Sequence, residues 1–202
     1  KQANAIPYEL YAHGVADETN TQFKLSLTSG AEYWGKAASG AGFMVYGAGN
    51  NWSFTVDAGD TLNYNWHLSS FDNQHYDLKV YSVNGFYRRY TGDVQDPKIA
   101  LSLYYEKKGK TFSGNVLLHV KRLARGEELL LKVTDNSYGG PAHELFLPEN
   151  NQDVFLTIDT KDSYHWYDLT VEAEKFPAFS QQFAGHVERQ TGSFTDPLMG
   201  NS

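Results

Sequence analysis

Leu62-Asn63-Tyr64-Asn65-Trp66-His67-Leu68 alternates an apolar or aromatic residue with a polar one for seven positions. Successive side chains of an extended chain point to opposite faces, so Leu62, Tyr64, Trp66 and Leu68 share one face while Asn63, Asn65 and His67 share the other. The stretch predicts a half-buried β-strand. Working outward from it, the same period recurs at Phe23/Leu25/Leu27, Phe43/Val45, Tyr76/Leu78/Val80, Ile99/Leu101/Leu103/Tyr105, Val116/Leu118/Val120, Leu129/Leu131/Val133, Val154/Leu156/Ile158 and Tyr167/Leu169/Val171. Turn formers separate these runs, among them Thr28-Ser29-Gly30, Asp57-Ala58-Gly59-Asp60, Val83-Asn84-Gly85 and Lys108-Gly109-Lys110. Short strands at roughly 10–15 residue spacing predict an all-β, antiparallel sandwich architecture. Residues 123–130 and 176–183 are the two places where a short helix fits, and Gly126 and Pro177 weigh against both.

The strands repeat in order. His75-Tyr76-Asp77-Leu78-Lys79-Val80 answers to Trp166-Tyr167-Asp168-Leu169-Thr170-Val171, and Phe86-Tyr87-Arg88-Arg89-Tyr90-Thr91-Gly92 answers to Phe179-Ser180-Gln181-Gln182-Phe183-Ala184-Gly185. An acidic turn precedes the companion strand of each copy, at residues 57–60 and 149–153. The expected organisation is two tandem immunoglobulin-like antiparallel β-sandwiches of about seven strands each. Residues 1–94 and 95–202 would form separate units, joined near Asp93 to Pro97, where an Asp-Pro step disfavours helix.

Composition narrows the function. The 202 residues carry 17 Lys and Arg against 24 Asp and Glu, a net charge of −7, so no basic field exists to hold a phosphate backbone and nucleic acid is not expected as a partner. There is no cysteine, which removes disulfides, zinc ribbons and thiol catalysis. The longest apolar runs, such as Val116-Leu117-Leu118, fall far short of the roughly 20 residues of a membrane-spanning helix. The opening Lys1-Gln2-Ala3-Asn4-Ala5-Ile6-Pro7 has no apolar signal-peptide core and reads as a trimmed precursor or a piece of a longer protein.

Four further motifs occur in order: Val133-Thr134-Asp135-Asn136-Ser137-Tyr138-Gly139, Trp166-Tyr167-Asp168-Leu169-Thr170-Val171, Phe183-Ala184-Gly185-His186-Val187-Glu188, and Thr195-Asp196-Pro197-Leu198-Met199-Gly200. With Tyr76-Asp77-Leu78 and Asn84-Gly85-Phe86-Tyr87-Arg88-Arg89-Tyr90 in the first copy, the chain resembles the tandem C-terminal domain of bacterial phosphatidylcholine-hydrolysing phospholipase C, of non-haemolytic and haemolytic types. The resemblance spans nearly the whole chain and is fuller in the second copy. It implies a secreted or periplasmic enzyme whose catalytic phosphoesterase domain lies N-terminal to this module in the same polypeptide. It carries no catalytic residue, cofactor or metal ligand onto this chain.

Candidate chemistry is sparse. His13, His67, His75, His119, His143, His165 and His186 show no close ligand spacing, and the acidic turns at Asp57/Asp60 and Asp159/Asp162 lack a calcium-loop pattern, so no metal site is expected. Neither a Gly-Lys-Ser/Thr pair nor a Gly-x-Ser-x-Gly elbow occurs. The run Phe86 to Tyr90 interleaves aromatic faces with guanidinium groups, which makes Tyr87, Arg88, Arg89 and Tyr90 candidates for a lipid headgroup on a phosphocholine surface. The competing reading is an ordinary strand, with Phe86, Arg88 and Tyr90 on one side and the arginine stems lying over packed rings. Trp34 and Trp52, beside glycine and asparagine loops, are candidates for exposed aromatics, whereas Trp66 and Trp166 sit in strong strands. The reading is a non-catalytic accessory module that positions the enzyme on lipid or a partner. The rival is a carbohydrate-binding or adhesin-like tandem sandwich with no enzymatic parent.

Overall fold

A computed structural model describes residues 2–149, 153–190 and 192–200. Sixteen strands follow one another: β1 (Gln2–Ala3), β2 (Leu10–Ala16), β3 (Gln22–Ser29), β4 (Ala41–Gly47), β5 (Asn50–Val56), β6 (Thr61–His67), β7 (Tyr76–Tyr81), β8 (Tyr87–Gly92), β9 (Ile99–Lys108), β10 (Thr111–Arg122), β11 (Leu129–Asp135), β12 (His143–Leu147), β13 (Val154–Ile158), β14 (Trp166–Ala173), β15 (Phe176–His186) and β16 (Ser193–Phe194). Every pairing among the described residues is antiparallel. The helical options are both excluded: residues 176–183 belong to β15, and the segment from 123 bends into β11. The acidic turn at 149–153 lies in part outside the described residues.

The pleat obeys the sequence period. Leu25, Leu27, Phe43, Val45, Leu78 and Val80 are buried, as are Leu101, Val116, Leu118, Leu131, Val133 and Val171. In β6, an edge strand, Trp66 is buried while Tyr64 on the same face is partly exposed, its ring lying against those of Phe54 and Trp66. Tyr76 and Leu78 are as fully buried as Tyr167 and Leu169.

One layer is an eight-stranded sheet ordered β12-β11-β14-β15-β8-β7-β4-β5, and the other consists of two three-stranded sheets, β13-β10-β9 and β2-β3-β6. Strands β2 and β9 lie side by side where those two short sheets meet. Between the layers are two hydrophobic clusters. One gathers Leu10, Phe23, Phe43, Leu78, Tyr90 and their neighbours from residues before 94. The other gathers Leu101, Leu118, Leu131, Tyr167, Phe183 and their neighbours from residues after 98, with Tyr11 inserted from the first half.

The expectation of separate sandwiches is corrected by the seam between β8 and β15. Five positions pair across it, Ser180 with Thr91, Gln181 with Tyr90, Gln182 with Arg89, Phe183 with Arg88 and Ala184 with Tyr87, so a single sheet runs through both halves. The physical reason is that β8 and β15 would otherwise each be an edge, with a row of unpaired N–H and C=O groups that the other strand satisfies. The connection between the halves is pinned as well. Asn20 Nδ2 donates to the carbonyls of Val94 and Asp96 at 2.9 and 3.1 Å, and Tyr76 Oη donates to the Asp96 carboxylate.

Candidate functional site

Strand β8 carries the aromatic and arginine run, and its alternation splits the four headgroup candidates between two environments. Tyr87 and Arg89 face outward; Arg88 and Tyr90 face the core. Arg88 is only 1% exposed. Its Nη1 donates to the carbonyls of Tyr87 and Ala184 at 2.8 and 2.7 Å, its Nη2 donates to Tyr167 Oη at 3.0 Å, and its guanidinium carbon lies 4.0 Å from the centre of the Phe86 ring. Tyr90 is fully buried and donates to the Ala12 carbonyl at 2.7 Å. A headgroup reaches neither, so Arg88 and Tyr90 are corrected from surface candidates to structural groups. The guanidinium has strong donors, and the carbonyls of Tyr87 and Ala184 with the Tyr167 hydroxyl offset part of the cost of burying it, its Nε being left without a partner.

On the outer face, Arg89 holds Asp77 in a two-pronged ion pair, with Nε to Oδ1 at 2.9 Å and Nη2 to Oδ2 at 2.8 Å. Hydrogen bonding from Arg89 holds the Asp77 carboxyl below its ordinary value, and the same contact raises that of Arg89. Beside this pair, Tyr87 packs on Tyr81 with ring centres 5.0 Å apart, and Tyr81 meets Tyr46 edge-on at 5.7 Å. Tyr46 and Tyr81 are each 44% exposed. Partial burial, with the neighbouring Tyr81 next in weight, pushes the Tyr87 hydroxyl up to about 12, so its ring is a neutral phenol at physiological pH. The sequence reading missed Tyr46 and Tyr81. Their signal was available: each follows a buried valine, Val45 and Val80, and so falls on the outward face of its strand.

Across the seam the same face is polar. Asp168 accepts from Gln182 Nε2 at 2.7 Å, from Asn136 Nδ2 at 2.8 Å and from Ser137 Oγ at 2.8 Å. Asp168 thus occupies in the second half the place that Asp77 has in the first, with an amide for a partner where Asp77 has a guanidinium. The outer face therefore offers exposed tyrosine rings on one side of the seam and saturated amide–carboxylate contacts on the other.

The two tryptophan candidates are not free platforms. Trp52 is half-buried, stands edge-on to Trp66 at 5.2 Å and packs on the first core. Trp34 is half-buried against Tyr33 at 5.1 Å, in the turn leading into a short 3-10 helix at Gly35–Ala37. The flat faces that a sugar platform requires are thus partly covered, which weakens the feature on which the carbohydrate reading leaned. No group of three potential metal ligands occurs among the described residues, and no described helix is long and apolar enough to cross a membrane.

Residues 2–93 match a family described as bacterial phospholipase C, C-terminal domain. That match falls on the first half, whereas the sequence reading found the fuller run of motifs in the second. The non-hemolytic phospholipase C of Burkholderia pseudomallei (strain K96243) is 32% identical over 213 residues, an alignment covering 100% of this chain and 28% of that protein. The non-hemolytic phospholipase C of Pseudomonas aeruginosa (strain PAO1) is 29% identical over 212 residues, covering 99% of this chain and 29% of that protein. The chain spans less than a third of the length of these curated relatives and aligns with both over essentially its whole length, and its first half is similar to the C-terminal domain of bacterial phospholipase C.

Proposed function

We propose that the chain is the non-catalytic accessory module of a bacterial phospholipase C that is secreted or periplasmic, with phosphodiester hydrolysis carried out by a phosphoesterase domain elsewhere in the polypeptide. The end-to-end alignment with two much longer phospholipases C carries this reading. Residues 1–94 and 95–202 are its two units, each with its own hydrophobic cluster and joined by the β8–β15 seam. Its task is to hold the enzyme at a phosphocholine surface. The outward rings of Tyr46, Tyr81 and Tyr87 suit that task, because neutral aromatic faces attract a quaternary ammonium while a net charge of −7 disfavours an anionic membrane. Arg89 is engaged by Asp77 and meets a lipid phosphate only by sharing that partner.

Co-sedimentation of the full-length enzyme with phosphatidylcholine vesicles tests the reading. Each cation–π contact contributes roughly 1 kcal/mol, so Tyr81→Ala combined with Tyr87→Ala weakens binding by about tenfold or more. Arg89→Ala has a smaller effect. Unchanged binding in the tyrosine double variant rules out this face. The 202-residue chain by itself releases no phosphocholine from phosphatidylcholine, and turnover that survives repurification refutes the non-catalytic reading.

A further inference from the structure

Outside the proposed lipid-facing surface, large apolar side chains are exposed on a contacting pair, Tyr164 and Phe194, and on the short 3-10 helix Pro197–Gly200 that follows β16. Tyr164 is 48% exposed, Phe194 40%, Leu198 47% and Met199 81%. The Tyr164 and Phe194 rings lie against each other with centres 4.9 Å apart, and Trp166 Nε1 donates to the Phe194 carbonyl at 2.9 Å, which fixes the pair to the start of β14. Contiguous exposed apolar side chains mark interaction surfaces, whereas singly exposed ones are ordinary.

The backbone of Tyr164 is a second, independent sign. Tyr164 and His165 both adopt the left-handed conformation, with φ of 55° and 71°. Asn73 and Gln74 do the same, with φ of 53° and 58°. Each turn stands three residues before its Tyr-Asp-Leu strand. Asparagine is well suited to that conformation, whereas an aromatic residue adopts it at some cost in strain. The second half therefore keeps an exposed tyrosine where the first half has the residue that the turn prefers. His186 Nε2, which donates to the Tyr164 carbonyl at 3.0 Å, holds the turn's backbone but makes no use of the ring.

The chain path identifies what covers these side chains. Strand β1 pairs with β16, Gln2 opposite Phe194 and Ala3 opposite Ser193, so polypeptide arriving ahead of Gln2 enters directly beside Phe194. The relatives have more than two thirds of their length outside the region this chain covers. We infer that Tyr164, Phe194, Leu198 and Met199 form the surface on which the polypeptide preceding Gln2 packs. The inference rests on the module reading above and adds the face by which the module is attached.

The two methionines make the test direct. Met199 is the more exposed, and Met44 lies half-buried on β4, so a free surface is oxidised to the sulfoxide faster at Met199 than at Met44. In the full-length polypeptide treated with dilute peroxide and read by peptide mass spectrometry, a covered surface reverses that order. Tyr164→Asn, which installs the residue of the equivalent turn and so preserves the fold, together with Leu198→Ser, restores fast oxidation of Met199. Met199 reacting faster than Met44 in the unmodified full-length polypeptide overturns the docking surface while leaving the module reading intact. Protection of Met199 that the double variant leaves unchanged also overturns it. A gene product with no polypeptide ahead of Gln2 removes the docking surface and the module reading together.

Discussion

Arg88 and Arg89 are neighbours in sequence and opposites in environment. Arg89 lies on the surface in an ion pair with Asp77, of the exposed kind that contributes little to stability, and Arg89→Ala changes the unfolding midpoint only slightly. Arg88 fills the centre of the seam. Arg88→Ala leaves the carbonyls of Tyr87 and Ala184 without their donor and opens a cavity beside Phe86, for an expected loss of about 3–5 kcal/mol in urea unfolding. Two other groups, the half-buried His13 and the buried Asp96, titrate in opposite senses. Burial lowers His13 to about 4, against the proton-favouring carbonyl of Leu103, and the neighbouring Arg88 lowers it further. The folded protein therefore loses stability as pH falls from about 6.5 towards 4, because the unfolded chain takes up that proton first. Burial raises Asp96 to about 6, opposed by the Tyr76 hydroxyl and the Asp93 amide. Its contribution runs the other way: fully present below the ordinary aspartate value, and lost as pH rises through about 6. Between pH 7 and 5, Asp96→Asn accordingly loses more stability than the wild type, and His13→Gln loses less, as urea midpoints at the two pH values will show. None of this was legible in the sequence, where arginine and aspartate read as surface residues; alternation placed Arg88 on the same side as Tyr90 but could not tell that the side was sealed.

At the level of elements, the strands were legible and their neighbours were not. Leu62 to Leu68 announces a strand because the pleat needs only the next residue but one, a local relation. That β8 lies against β15 depends on residues about ninety positions apart, and Phe86 to Tyr90 says which way side chains point but not which strand lies beside them. Close packing at the seam is equally hidden. Gly14 in β2 faces the buried rings of Phe23 and Tyr90; a methyl group there meets their atoms at 2.4 and 2.8 Å, while its carbonyl accepts from Gln181 Nε2 at 3.3 Å. Gly14→Ala is expected to cost about 1–3 kcal/mol by overpacking, measured as a lower unfolding midpoint with an unchanged denaturant slope. The exposed tyrosines were half legible, since Tyr46 and Tyr81 announce their face but not each other.

For the whole molecule, two hydrophobic clusters under one eight-stranded sheet imply that the halves unfold together. Phe43→Ala empties part of the first cluster, and the expected loss of about 3–5 kcal/mol appears equally in the hydrogen exchange of β10 and β14, which belong to the second. Faster exchange confined to the first half contradicts that coupling. The seam also has a history within the life of each molecule. Strand β8 is complete well before β15 is made, and with synthesis at 5–20 residues per second the roughly 90 intervening residues take about 5–20 s. During that interval the future middle of the sheet is an open edge, able to take a strand from another nascent chain. A second copy of β8 docked in the register that β15 uses would set Arg89 against Arg89, where the finished protein sets it against Gln182, and like charges directly opposed weaken such a pair. By that register a pairing of two first halves through β8 is weaker than the β8–β15 pairing of the finished chain, in which Gln182 faces Arg89.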